Sequence, residues 1–316
     1  MMPGPPLEVQ RRRDHLDPVN DRRRSAAVAS GRWHRVTAGV YAPASEWFAL
    51  KPHERHHVLV REVARRMRKP AVLAGAAAAA IHGIDLLGSW PRLVDVRTER
   101  TTGGRTHGAI RRHALGLDGV AVQPWEGMHL VTTPAQTALD LARWLSFIGA
   151  VAAVDQALWA RRAGGPLATI DEIRELEDFA SLPRWDAHAR RVLEAATDLA
   201  DNVRESEARL LMKSLGFPAP RLQERRVLRS VRLVFGDFYF PEHDHWCELD
   251  GRGKYMSSDV QDGVDVARSV IDEKNRENEI RREVTGFSRF EAADIHPRRL
   301  YDILTGDGLP SRLPRP

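Results

Sequence analysis

Apolar and polar positions repeat along the chain with two periods, near 3.6 and near 2, and the switches between them predict an order of elements. A short helix is predicted from Asn20 or Asp21, either of which could cap it, through Arg22, Arg23, Arg24, Ala27 and Val28, with Gly31 as its C-terminal stop. Trp33, Arg35 and Val36 then read as a strand, Thr37-Ala38-Gly39 as a turn, and Val40 and Tyr41 as a return strand that Pro43 closes. Residues 52–67 place Val58, Leu59, Val63 and Met67 on one helical side, and an alanine-rich helix follows over residues 74–81. Strands are predicted at 93–97 and 109–113. Further helices are predicted from a Thr132-Thr133-Pro134 start through Trp144, then at 149–161, 171–179 and 185–199. In the last third, a helix carries Leu210, Leu211 and Leu215 and stops at Gly216 and Pro218. Strands follow at 225–228, 231–240 and 246–251, then a helix with Glu273, Lys274, Arg276 and Glu277, and a final strand at 286–290.

This order predicts a mixed α/β, multidomain chain, and 316 residues at roughly 100 to 200 per domain allow two or three units. The predicted divisions are 1–48, a partial winged helix-turn-helix; 49–165, a middle α/β domain; 166–200, a helical connector; and 201–316, a C-terminal α/β domain. No apolar run approaches a membrane span, and Met1 to Asp17 has no apolar core of a secretion signal, so neither membrane nor secretion is expected. The single cysteine, Cys247, excludes an intramolecular disulfide and a Cys-rich zinc site, and the expected compartment is a reducing cytoplasm.

Charge is concentrated at one end. Residues 1–70 hold 15 Lys/Arg against 7 Asp/Glu, whereas 71–200 hold 13 against 15 and 201–316 hold 20 against 21. Helix followed by a basic hairpin is the order of a recognition helix and wing, in which the helix enters the major groove and the wing lies along phosphates. Arg22, Arg23, Arg24, Arg32 and Arg35 are therefore the candidate DNA contacts; a basic hairpin packed on the next domain is the alternative. The Arg11-Arg12-Arg13 run reads as solvated.

Three patterns bear on catalysis. His53-Glu54-Arg55-His56-His57 matches H-E-x-x-H, the zinc-protease arrangement of two histidines one turn apart with a glutamate that activates water. Histidines on a solvated helix face are the competing reading. The glycines of the middle region form neither a dinucleotide fingerprint nor a P-loop. The third pattern is acidic: Glu248 and Asp250 share one strand face, Asp237 lies one hairpin away, and Lys254 sits just beyond. One or two carboxylates suffice to hold Mg²⁺ or Mn²⁺ against a phosphodiester, with Asp237 and Glu248 as ligands, Asp250 as a third or second-metal ligand and Lys254 as the stabilising cation. Exposed strand and turn acids are the alternative, Asp250-Gly251 being also a turn signal.

The chain also resembles known families. Glu205-Ser206 with Arg209, Gly216-Phe217-Pro218 with Pro220 and Gln223, Asp237-Phe238, residues 248–255 (Glu248-Leu249-Asp250-Gly251-Arg252-Gly253-Lys254-Tyr255), and Glu273-Lys274 with Arg276-Glu277 look like the C-terminal domain of a large group of actinobacterial proteins. That domain is related to the very-short-patch-repair endonucleases and has the restriction-endonuclease-like fold. Glu205 joins the candidate catalytic set through this resemblance. Gly31-Arg32-Trp33 through Gly39-Val40-Tyr41 is similar to the winged-helix end of AbiEi-type antitoxins, and Ala78-Ala79-Ala80, His82-Gly83, Thr133-Pro134, Thr137, Leu139, Asp140 and Leu141 are similar to their middle domain. The usual PD-(D/E)xK lysine position holds Asp250, and Tyr255 stands where the repair enzymes use histidine.

The resemblance implies a DNA-binding regulator of the type IV toxin–antitoxin class. Its expected partners are DNA and a nucleotidyltransferase-like toxin that acts without stable contact. The alternative expectation is a metal-dependent DNA endonuclease.

Overall fold

The computed structural model of the chain describes residues 7, 9–12, 18–100, 103–179, 183–250 and 274–316. Two compact units divide it, Met1–Thr197 and Asp198–Pro316. Among the described residues there are eleven α-helices and three sheets, a mixed α/β build, and no helix is long and apolar enough to cross a membrane.

In the first unit, β1 (Gln10–Arg11) precedes α1 (Pro18–Ala29), β2 (Trp33–Thr37) and β3 (Val40–Pro43), and the sheet order is β1-β3-β2. The helix ends where Gly31 adopts a left-handed φ of 72°, with the Arg32 amide donating back to Ala27 O at 3.0 Å. The hairpin turns at Gly39, φ 68°. Arg11 is not merely solvated: its guanidinium donates twice, at 2.7 Å, to the buried Glu62 of α3 (Pro52–Ala64) and so pins β1 down. Between hairpin and α3 lies α2 (Ala44–Ala49).

The second sheet of this unit has six strands: β4 (Val72–Leu73), β5 (Val94–Thr98), β6 (Thr106–His107), β7 (Ile110–Ala114), β8 (Val122–Trp125) and β9 (His129–Thr132), in the order β6-β7-β5-β4-β9-β8. Pairs β5/β7 and β4/β9 are parallel, and the others are antiparallel. The alanine run forms α4 (Gly75–His82), whose five consecutive alanines are buried; with no side chain beyond Cβ they let the helix lie close to its neighbours. The core between α3, α4 and the sheet contains Leu59, Val63, Leu73, Ile81, Val96 and Val131. After the sheet come α5 (Pro134–Trp144), α6 (Phe147–Leu158), α7 (Ile170–Phe179) and α8 (Pro183–Ala195).

The second unit runs α9 (Val203–Ser214), β10 (Arg221–Val227), β11 (Leu233–Phe240), a 3₁₀ turn at Pro241–His243, β12 (His245–Asp250), α10 (residues 274–283), β13 (Gly286–Glu291) and α11 (Pro297–Gly306). Its sheet order is β10-β11-β12-β13; the first two pairings are antiparallel and the last is parallel. Alternation along β12 sends Cys247 to one face and Trp246 to the other. Cys247 packs with Phe238, Phe240, Met212 of α9 and Leu300 of α11, while Trp246 packs with Val234, Tyr239, Phe287 and Ile280 of α10. Gly236 lies against the Trp246 indole, and a Cβ there would overlap the ring. Val231, read from sequence as strand, belongs instead to the β10–β11 turn, because its amide donates to Leu228 O at 2.8 Å.

Candidate nucleic-acid interface and acidic cluster

A cleft of about 570 Å³ at α1 and the start of β2 is lined by Arg23, Arg24, Arg32, Gln10, Trp33, Ala26 and Ala27. The turn after α1 brings Arg32 back beside Arg23 and Arg24, and Arg32 Nε donates to Ser30 Oγ at 3.3 Å. Arg22 and Arg35 are exposed and do not line this cleft. Guanidinium groups around an aromatic wall suit a phosphate-bearing, ring-containing ligand.

The H-E-x-x-H residues occupy the first two turns of α3, and their positions decide their roles. Glu54 Oε2 accepts from the Lys51 amide at 2.6 Å in a capping box, which engages the carboxylate that would activate water. His57 lies against Trp125, whereas His53 and His56 lie against Trp90. Burial lowers His56 to about 4, so it is neutral at physiological pH.

The residues that carried the middle-domain resemblance have architectural roles. Thr133 Oγ1 accepts from the Gln136 amide and caps α5, the Thr132 and Thr137 hydroxyls bond at 2.7 Å, and His82 Nε2 meets Thr132 O at 2.7 Å. Asp140, with no exposed surface, accepts from Arg97 at 2.7 Å and from Gln136 at 3.0 Å. A second buried carboxylate, Asp95, accepts from Arg111 and His113. Burial pushes Asp95 up, but the hydrogen bonds from His113 and Arg111 outweigh it and leave it below its ordinary value. The His113 ring stacks on Trp144, 4.1 Å between centroids.

In the second unit the predicted acids fall into two groups. Glu205, on the first turn of α9, is buried and accepts from the Asp201 amide (2.8 Å), Asn202 Nδ2 (2.6 Å) and Gln223 Nε2 (3.2 Å). Burial, then the neighbouring charge of Asp237, pushes Glu205 up to about 8. Asp237 reaches across from β11 to accept from the Leu249 amide at 2.8 Å. Gln223 holds its place with a left-handed φ of 51°.

Glu248 and Asp250 form the other group, and both meet arginines. Glu248 accepts from Trp246 Nε1 (3.1 Å) and from Arg276 of α10 (2.9 Å). Asp250 pairs with Arg289 of β13 at 3.1 Å, and Arg289 also reaches Glu277 at 2.7 Å. The parallel register that sets Arg289 beside Glu248 on β12 explains why Arg289 belongs to this site. Sequence reasoning missed Arg289, because that register joins residues 41 apart. Lys254 and Tyr255 lie outside the described residues. Among the described residues, no group of three or more His, Cys, Asp or Glu side chains stands ready to hold a metal ion. Burial, with the charges of Asp237 and Glu248, pushes the Cys247 thiol well up, which makes it a core residue rather than a nucleophile.

The chain is thus a mixed α/β protein with an arginine-lined cleft in one unit and carboxylates around the β11–β12 strands in the other. Comparison with known proteins adds two relatives. The uncharacterized proteins MT2308 and Rv2248 of Mycobacterium tuberculosis are each 32% identical to it over 199 residues. That stretch is 62% of this chain and 65% of each relative, so the chain spans less than two thirds of their length. No family model matches the chain, and no solved structure matches it significantly.

Proposed function

We propose that this chain is a DNA-binding protein of the type IV antitoxin and transcriptional-regulator class, with a restriction-endonuclease-like C-terminal unit related to the very-short-patch-repair enzymes. The cleft of Arg23, Arg24 and Arg32 carries the reading. It is lined by residues of a helix and a hairpin in the order expected of a winged helix, and Trp33 offers a flat partner to the phosphate-seeking guanidinium groups. The α-β-β-β-α-β succession of the second unit supports a nuclease-like scaffold. In this reading the protein is cytoplasmic and actinobacterial, and its cognate nucleotidyltransferase-like toxin acts without stable contact.

The test is fluorescence anisotropy with labelled duplex DNA between 50 and 200 mM salt, conditions over which counterion release lowers affinity steeply. Replacing Arg23, Arg24 and Arg32 by alanine is expected to weaken binding and reduce the salt slope by about one per phosphate contact removed. Unchanged affinity and slope would overturn the reading.

A Mg²⁺- or Mn²⁺-dependent DNA endonuclease is the second reading, favoured by the pairing of β11 with β12, across which Asp237 reaches the Leu249 amide between Glu248 and Asp250. Asp237, Glu248 and Asp250 would hold the ion, which when bound supplies an activated water and neutralises charge on the phosphate. Lys254 would be the accompanying cation. Cleavage of supercoiled DNA that both Glu248→Ala and Asp237→Ala abolish would support it; cleavage that survives both would refute it.

A further inference from the structure

The β10–β11 ribbon of the second unit displays large apolar side chains that stay exposed. Val227 is 56% exposed, Val231 82%, Leu233 43% and Phe235 43%. They are contiguous, since Val227 pairs with Leu233 across the ladder and Arg225 pairs with Phe235. Contiguous apolar surface on a folded chain marks an interaction site more often than scattered residues do.

The tip is built rather than loose. Leu228 N donates to Arg232 O at 2.9 Å, the Arg229 amide donates to Glu283 at 2.8 Å, and the Ser230 amide and hydroxyl donate to Glu279 at 2.7 and 2.8 Å. Both acids belong to α10, so the helix braces the turn from beneath. Val231 sits at the apex with φ 64°, in the left-handed region where such three-residue turns ordinarily place glycine. A β-branched residue held there, with its side chain almost wholly in solvent, presents an apolar knob at a cost in backbone strain.

Charge identifies the occupant. Residues 225–235 contain four arginines and no acid. Arg226 turns inward onto the Tyr239 and Trp246 rings, while Arg225, Arg229 and Arg232 are exposed around the apolar strip. A second copy of this chain seated on the same patch would bring arginine against arginine. A nucleic-acid duplex presents phosphates to the arginines and a groove to the apolar knob, and two-stranded ribbons are among the elements that grooves admit. Asp237 lies two residues beyond Phe235, about 7 Å along the same strand.

We propose that the exposed apolar strip of the β10–β11 ribbon is a second DNA-contacting surface, with Arg225, Arg229 and Arg232 on phosphates and Val231, joined by the exposed part of Phe235, against the groove. This rests on the DNA-binding reading, and it adds that the C-terminal unit takes part in holding the duplex beside Asp237.

Val231→Gly separates binding from stability, because it removes the knob and relieves the left-handed strain together. In the full chain it is expected to melt no lower than wild type yet bind labelled duplex roughly fivefold more weakly. Arg229→Ala with Arg232→Ala is expected to reduce the salt slope by about two. Wild-type protein that binds no duplex would sink both the DNA-binding reading and the ribbon. Weakening by Arg23→Ala and Arg32→Ala with no effect of the ribbon variants would sink the ribbon alone. A concentration-dependent dimer in sedimentation that Phe235→Ser abolishes, with DNA affinity unchanged, would assign the patch to self-association and overturn the proposal.

Discussion

Removing the Arg97 side chain tests whether Asp140, one of the residues on which the antitoxin resemblance rests, serves architecture or chemistry. The pair is sealed: the Arg97 side chain is 2% exposed and that of Asp140 0%, with 2.7 Å between them. Arg97 Nε donates in addition to Gly116 O at 2.7 Å, so the guanidinium joins α5 to the loop after β7. Burial pushes Asp140 up while Arg97 and Gln136 pull it down, and its Oδ2 is buried without a hydrogen-bond partner among the described residues. Arg97→Met should therefore cost about 3 to 5 kcal/mol, the range for a buried charge left without its partner, against a total stability of about 5 to 15 kcal/mol. Because the folded state then favours the protonated acid, the deficit should grow as pH rises from 5 to 8, by the linkage between proton uptake and folding. Arg97→Met with Asp140→Leu, which removes both charges, should recover most of the loss. The assay is urea unfolding of the three variants at pH 5 and pH 8, with DNA anisotropy measured in parallel. If Asp140→Asn cost less than about 1 kcal/mol but abolished DNA binding, the architectural argument would be refuted.

Glu205 titrates at about 8 when folded against 4.5 unfolded, so the folded state holds its proton longer and this group's contribution falls by a few kcal/mol as pH rises between those values. Glu205→Gln should remove that slope from amide exchange of Val203–Ser214; an unchanged slope would contradict the displacement. His56 behaves oppositely, since its folded value of about 4 lies below 6.5, and stability of the first unit should be lost as pH falls from 6.5 towards 4. Exchange of the Pro52–Ala64 amides in wild type and His56→Phe would show it, the variant losing less on the acid side because burial still lowers His57 and His82. Gly236→Ala would drive a methyl into the Trp246 ring and should cost about 1 to 3 kcal/mol by overpacking, measured as a lowered urea midpoint with an unaltered m-value.

Legibility from sequence followed the reach of the interactions. The α1–hairpin segment was readable because local signals set it: Gly31 and Gly39 both adopt the left-handed conformation that only glycine accepts cheaply. Strands β8 and β9 escaped detection because four-residue strands leave little periodicity and Pro124 reads as a breaker, although β8 is an edge strand, where proline is tolerated. Much of β10 was hidden by its charged sequence, Arg221-Leu222-Gln223-Glu224-Arg225-Arg226-Val227, again at an edge. The H-E-x-x-H match was visible as letters only; that Glu54 is consumed by the Lys51 amide follows from where the helix starts. In the acidic cluster, period-two spacing placed Glu248 and Asp250 on one face, and both meet arginines there. What spacing could not supply was the identity of those arginines, because α10 and the parallel β13 bring them from elsewhere in the chain.

Those arginines redistribute the electrostatic demand within the candidate site. Glu248 with Arg276, and Asp250 with Arg289, are opposite charges within 3.1 Å, and neither carboxylate needs a further cation to be held in place. Around Glu205 the balance differs: burial and the charge of Asp237 both favour its neutral form, and Gln223 and the Asp201 amide only partly offset them. In the endonuclease reading, an ion held by Asp237, Glu248 and Asp250 would also act on Glu205, because the charge of Asp237 is one of the causes that raise it. At Glu248 and Asp250 it would first have to displace guanidinium groups. The two readings of the second unit then diverge in a measurable way. If the domain is a nuclease, Mg²⁺ should lower the Glu205 titration point and flatten the pH dependence of the Val203–Ser214 amides, an effect that Asp237→Asn reduces. If it serves only to hold DNA, Mg²⁺ should leave that titration unmoved while added duplex protects the amides of β10 and β11.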